Sequence, residues 1–127
     1  MILGIGTDIV DIRRVERLLL AHPHVAIARL MSPAEQRFYR NDICLGFAKI
    51  WAYKEAVIKA SSGRLLFRDI EIEHDSNGAP RVSVADGRSA FMSHCGPPAL
   101  SQVTWHLTLS DELPYIFAVC IAECNSD

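Results

Sequence analysis

The stretch Phe47–Ala60, Phe-Ala-Lys-Ile-Trp-Ala-Tyr-Lys-Glu-Ala-Val-Ile-Lys-Ala, constrains the fold of this chain more than any other. It is helix-forming throughout and holds neither Gly nor Pro. Ala48, Ala52, Ala56 and Ala60 make one side of that helix narrow, while Phe47, Ile50, Val57 and Ile58 supply apolar contacts. Trp51, Glu55 and Lys59 recur every four residues and so share a stripe. A carboxylate and an ammonium beside a Trp, on a helix otherwise suited to burial, read either as a local ion pair or as part of a site.

The chain around this helix has 127 residues, half of them hydrophobic. That predicts one domain, residues 1–127, able to bury its own core but small enough for a site to lie between subunits. A net charge of −2 makes no electrostatic case for nucleic acid or a membrane surface. The apolar runs are too short to span a bilayer, and the N-terminus lacks the pattern of a signal peptide. Cys44, Cys95, Cys120 and Cys124 form no CxxC pair, so reduced thiols and a cytoplasmic location are expected.

A strand is expected from Met1 to about Asp8, with Gly4, Gly6 and Asp8 on one face. The two glycines leave space beside the Asp8 carboxylate. That space suits the approach of a ligand; equally, Asp8 could cap the next helix. Asp11–Leu20 reads as a helix with Ile12, Val15 and Leu19 inward. Arg13, Arg14 and Arg17 lie opposite, as a solvated face or a surface for an acidic partner. His22-Pro23-His24 interrupts this helix as an exposed turn. Ser32-Pro33-Ala34-Glu35 is a capping box that opens a helix to about Tyr39.

After the central helix, Leu66–Glu73 and Pro80–Val84 read as strands joined by the turn Asp75-Ser76-Asn77-Gly78. Ser89–His94 reads as a short helix ended by Gly96-Pro97-Pro98. Val103–Ser110 and Tyr115–Glu123 are the last strands, with Asp111–Pro114 as their turn. The absence of a regular strand–helix alternation points to an α+β fold, a mainly antiparallel sheet packed against the long central helix. A dinucleotide-binding fold does not fit, because Gly4-Ile5-Gly6 completes no fingerprint.

Asp8 and Glu55 together could bind Mg²⁺, which takes hard oxygen ligands and completes its shell with waters and phosphates. Lys59, one turn beyond Glu55, could hold a phosphate. The plainer alternative, a Glu–Lys helix pair, contributes about 0.3 kcal/mol, and spacing alone favours it. No G-x-S-x-G is present, and no cysteine has an activating neighbour in sequence. His106 reads as a structural histidine more readily than an acid–base group.

Gly6-Thr7-Asp8-Ile9-Val10-Asp11-Ile12-Arg13-Arg14 resembles the N-terminal motif of bacterial holo-acyl-carrier-protein synthases. Trp51-Ala52-Tyr53-Lys54-Glu55-Ala56-Val57-Ile58-Lys59-Ala60 resembles the second motif of the phosphopantetheinyl transferase superfamily. Phe67–Ile72 with Asp75–Pro80 is similar to the family's hairpin, and Leu107–Glu112 to its final motif. The four occur in order and cover most of the chain.

This resemblance implies the 4′-phosphopantetheinyl transferase fold and a transferase of fatty acid biosynthesis. It would move the 4′-phosphopantetheine arm of coenzyme A to a serine of apo acyl carrier protein. Asp8 and Glu55 would bind Mg²⁺, and Lys59 would contact the pyrophosphate. Lys54, Arg64 and Pro80 would add coenzyme contacts. The serine proton would pass to Asp8 or Glu55, with Asp111 ranked lower. Arg14, flanked by Arg13 and Arg17, would dock the acidic carrier protein. A homotrimer with coenzyme A between subunits is also implied. Ile50 stands where the family usually has Arg, and Ser61–Arg64 replaces a Gly-Thr-Gly loop. Those departures favour an alternative: a catalytically weakened module of the same fold that binds coenzyme A or carrier protein. A relative acting on carrier domains of secondary metabolism is a third reading.

Overall fold

The fold was obtained as a computed structural model, which describes residues 1–85 and 103–125. The expected helix at Ser89–His94, its Gly-Pro-Pro stop and Cys95 lie outside the described residues.

Among the described residues ten elements follow one another: β1 (Ile2–Asp11), α1 (Ile12–Ala21), α2 (Pro23–Leu30), α3 (Pro33–Phe38), α4 (Ile43–Ala60), a 3₁₀ turn (Phe67–Asp69), β2 (Ile70–His74), β3 (Pro80–Val84), β4 (Val103–Glu112) and β5 (Tyr115–Cys124). The α+β expectation holds. Among the described residues one sheet has the order β1-β5-β4, β2 and β3 form a separate hairpin, and all three pairings are antiparallel.

Helix α4 lies across the three-stranded sheet. Its Ala48, Ala52, Ala56 and Ala60 have no solvent exposure, and neither do Ala118, Cys120 and Ala122 of β5. Small residues on both surfaces bring helix and sheet close together. The approach is tightest over β1. A Cβ on Gly4 would collide with the carbonyl oxygen of Ala60, and one on Gly6 with that of Ala56. The space left by these glycines therefore admits the helix backbone and not a ligand. Asp8 does not cap α1. Strand β1 runs on past Asp8, paired through Asp11 opposite Tyr115, and Asp11 is the cap, accepting from the Arg13 amide at 3.0 Å.

Four other boundaries differ from the sequence reading. The break at His22-Pro23 ends α1 as expected but also starts α2, with Pro23 at its first position, where a missing N–H costs nothing. Helix α4 starts a turn earlier than Phe47 because the Asp42 carboxylate accepts from the Leu45 amide at 3.0 Å. Phe67–Asp69 is a 3₁₀ turn instead of strand, closed by the Asp69 carboxylate accepting from the Leu66 amide at 2.8 Å. Asp111 and Glu112 belong to β4, facing Ile116 and Tyr115, so only Leu113 and Pro114 turn the chain.

The capping box forms as read: the Glu35 amide donates to Ser32 Oγ at 3.2 Å and the Ser32 amide to Glu35 Oε1 at 2.7 Å. Glu35 does more than cap. Its Oε2 accepts from the Ile72 amide of β2 at 2.8 Å, and its Oε1 from Lys54 Nζ of α4 at 2.8 Å. Lys54 Nζ also donates to the Leu30 carbonyl at 2.6 Å. At the hairpin, His74 stacks on Phe38 with ring centroids 4.0 Å apart, and its Nε2 lies 3.2 Å from the Tyr39 hydroxyl.

Candidate active site

The close β1–α4 contact brings Asp8 to the polar stripe of α4. Lys59 Nζ donates to Asp8 Oδ1 at 3.0 Å and to the Thr7 carbonyl at 2.9 Å. The Asp8 side chain is 16 % exposed and that of Lys59 50 %, so a largely covered carboxylate meets a cation still open to solvent. One turn earlier on the same stripe, half-buried Glu55 borders a cleft of about 210 Å³. Asp8, Ile9, Val10, Arg14, Trp51 and Glu55 line it. The stripe is thus no simple Glu–Lys helix pair: Lys59 bonds across to β1, and Glu55 faces the cleft.

The three arginines of α1 separate. Arg14 reaches the cleft, its guanidinium 4.9 Å from the centre of the Trp51 ring, within cation–π range. Arg13 forms a fork with Asp11, at 3.0 Å from Nε and 2.8 Å from the terminal nitrogen. That hydrogen bond raises the pKa of Arg13 and, with the backbone bond, holds the Asp11 carboxyl below its usual range. Arg13 is therefore committed to an acid on its own chain. Arg17 is exposed.

Other sequence candidates lie elsewhere. Lys54 is a correction: at 2 % exposure, with Nζ engaged by Glu35 and Leu30, it is closed to a phosphate. Arg64 is exposed in the loop beyond Gly63, and Pro80 opens β3 opposite His74; neither lines the cleft. Asp111 lies 3.8 Å from Lys49 and also does not line it. His106 sits 2.8 Å from Glu123 on the exposed face of the sheet, a surface pair. Ile50 has no solvent exposure, so it is a core residue here. Burial pushes the Cys120 thiol up to about 12, so it behaves as an apolar filler.

Among the described residues no group of three His, Cys, Asp or Glu could enclose a metal. Two carboxylates on one open cleft match instead the habit of Mg²⁺, which binds one or two protein carboxylates and keeps positions for water and phosphate. The donor set therefore fits that ion.

A family model for the 4′-phosphopantetheinyl transferase superfamily matches residues 4–117. The chain belongs to that superfamily. Among its relatives, the holo-acyl-carrier-protein synthase of Paramagnetospirillum magneticum is 36 % identical over 130 aligned residues, covering 98 % of each chain. The crystal structure of the holo-acyl-carrier-protein synthase from Neisseria meningitidis superposes with a TM-score of 0.78 at 32 % identity, covering 97 % of this chain and 99 % of that one. That of holo-ACP synthase from Plasmodium yoelii superposes at 0.80 with 27 % identity, covering 99 % and 98 %. Within the superfamily fold, the cleft between Asp8 and Glu55 lies where β1 and α4 converge, Arg14 joins it from α1, and Lys59 pairs with Asp8 beside it.

Proposed function

We propose that this chain is a holo-acyl-carrier-protein synthase. It acts as one domain in the cytoplasm, transferring the 4′-phosphopantetheine arm of coenzyme A to a serine of apo acyl carrier protein for fatty acid biosynthesis. The serine oxygen attacks the phosphorus that bears the pantetheine arm. The bond from that phosphorus to the adenosine side of the pyrophosphate breaks, and adenosine 3′,5′-bisphosphate leaves. The observation that carries this reading is the cleft itself: carboxylates from two elements, a cation one helical turn away and an arginine at the rim.

Asp8 and Glu55 would hold Mg²⁺, and the chemistry that ion supplies when bound is neutralisation of charge on the pyrophosphate. Lys59, half in solvent on a flexible stem, would leave Asp8 to contact the leaving phosphate and offset its developing charge. Asp8 or Glu55 would accept the serine proton. Arg14 would meet the acidic carrier protein, held in orientation by the Trp51 ring. Arg64 and Pro80 are not on this cleft, so contacts from them fit coenzyme A bound between subunits.

A homotrimer is supported by the face of the sheet turned away from α4. Ile5, Ile9, Phe117 and Tyr115 expose 60 %, 64 %, 41 % and 47 % of their surface there. Paired strands place them side by side, Ile9 opposite Phe117 and Asp11 opposite Tyr115. An apolar patch of this kind calls for a partner surface. Among the described residues no helix is long and apolar enough to cross a membrane.

The deciding experiment incubates the chain with apo acyl carrier protein, coenzyme A and Mg²⁺ and reads the carrier protein by mass spectrometry. The expected result is a phosphopantetheine adduct that chelator abolishes. No adduct at high enzyme concentration would sink the reading.

A further inference from the structure

Lys54 and Glu35 are charged, at 2 % and 1 % exposure, and their bonds join four elements. Leu30 closes α2, Ser32 caps α3, Ile72 lies in β2, and Lys54 sits in α4 beside Glu55. Each bond is directional and short, from 2.6 to 2.8 Å. For stability alone, an apolar pair of similar volume would serve as well or better, because a buried ion pair loses its hydration. What apolar side chains do not supply is a fixed position along and around the helix axis.

On its other side α4 is tied to β1 through Lys59, whose half-exposed Nζ donates to the Thr7 carbonyl and to Asp8 and would have to leave Asp8 to reach a phosphate. There Ala56 and Ala60 ride over Gly4 and Gly6, a surface without knobs to oppose sliding. We propose that Lys54 is a positioning residue: through Glu35 and Leu30 it sets the register of α4, and so holds Glu55 and Lys59 against Asp8. The proposal rests on the transferase reading for its consequence in catalysis.

The test compares wild type with Lys54→Met at a temperature where circular dichroism shows both folded. Three quantities are read: steady-state kinetics with apo acyl carrier protein, Mn²⁺ binding by electron paramagnetic resonance, and hydrogen exchange of the α4 and β2 peptides. Loss of a residue that only orients a metal's ligands costs about 10- to 100-fold in affinity or activity. The expected result is a loss of that size in kcat and in Mn²⁺ affinity, faster exchange in α4 and β2, and a KM for carrier protein within about twofold of wild type. A folded Lys54→Met with wild-type kcat and Mn²⁺ affinity would overturn the proposal and leave Lys54 purely structural. If Lys54→Met does not fold, Glu35→Gln, which keeps the size and one acceptor oxygen, takes its place with the same two outcomes. Wild type that forms no adduct and binds no Mn²⁺ would overturn the transferase reading beneath the proposal, a result distinct from a normal wild type and an unaffected variant.

Discussion

Asp8 is asked to do two things that compete. Its Oδ1 accepts from Lys59, and the same carboxylate is a metal-ligand candidate with Glu55. Removing the carboxylate that has no such bond is therefore the cleaner experiment. Glu55→Ala should keep its fold by circular dichroism and lose about 10²- to 10³-fold in kcat, a loss typical of removing one transition-state stabiliser. Arg14→Glu should raise KM for carrier protein about tenfold, equivalent to 1.4 kcal/mol, and leave KM for coenzyme A unchanged. An equal rise for coenzyme A would move Arg14 from docking to the cofactor site. His74 sets a pH dependence of stability. Burial between Phe38, Tyr39 and Tyr53, aided by Lys49, lowers its pKa. The unfolded chain then binds the proton more readily, so stability is full above the ordinary histidine value near 6.5 and declines as pH falls through the lowered one. The thermal midpoint should drop on acidification below about pH 6.5, and His74→Phe should flatten that limb of the profile.

At the scale of elements, the site depends on how near α4 comes to β1. Gly6→Ala places a methyl against the Ala56 carbonyl and must lift the helix. Overpacking of this kind costs about 1–3 kcal/mol, and here it should also shift Glu55 and Lys59 from Asp8. A lowered urea midpoint together with a raised Mg²⁺ requirement is expected; a lowered midpoint alone would separate packing from the site. The same contact marks where sequence reading succeeded and failed. The alternation of Gly4, Gly6 and Asp8 and the spacing of Trp51, Glu55 and Lys59 were both legible, because each is a local period of one element. What filled the glycine space was not, since Ala56 and Ala60 arrive from 50 or more residues away. Lys54 was misassigned for a like reason. Its partner Glu35 is 19 residues distant, and the capping box alone already accounts for a Glu at that position. Helix α2 was missed because a proline that ends one helix is equally suited to begin the next.

In the whole molecule, the apolar outer face of β1 and β5 should be covered. Light scattering on wild type is expected to give the mass of three chains, and Ile9→Lys to give one. A monomeric wild type with full activity would show that the cleft works without a neighbour. The family motifs, read in order, were enough to anticipate the fold class; the exposed patch emerges only when register sets Ile9 beside Phe117. The bare glycine track under α4 has one more consequence. The spacing of β1 and α4 is gauged by main chain lying on main chain, flanked by small side chains. Much of the surrounding hydrophobic interior can therefore be exchanged for residues of similar volume while that spacing holds. A chain built this way can drift in sequence and keep that spacing, provided Gly4 and Gly6 stay without a side chain and the alanines laid over them stay small.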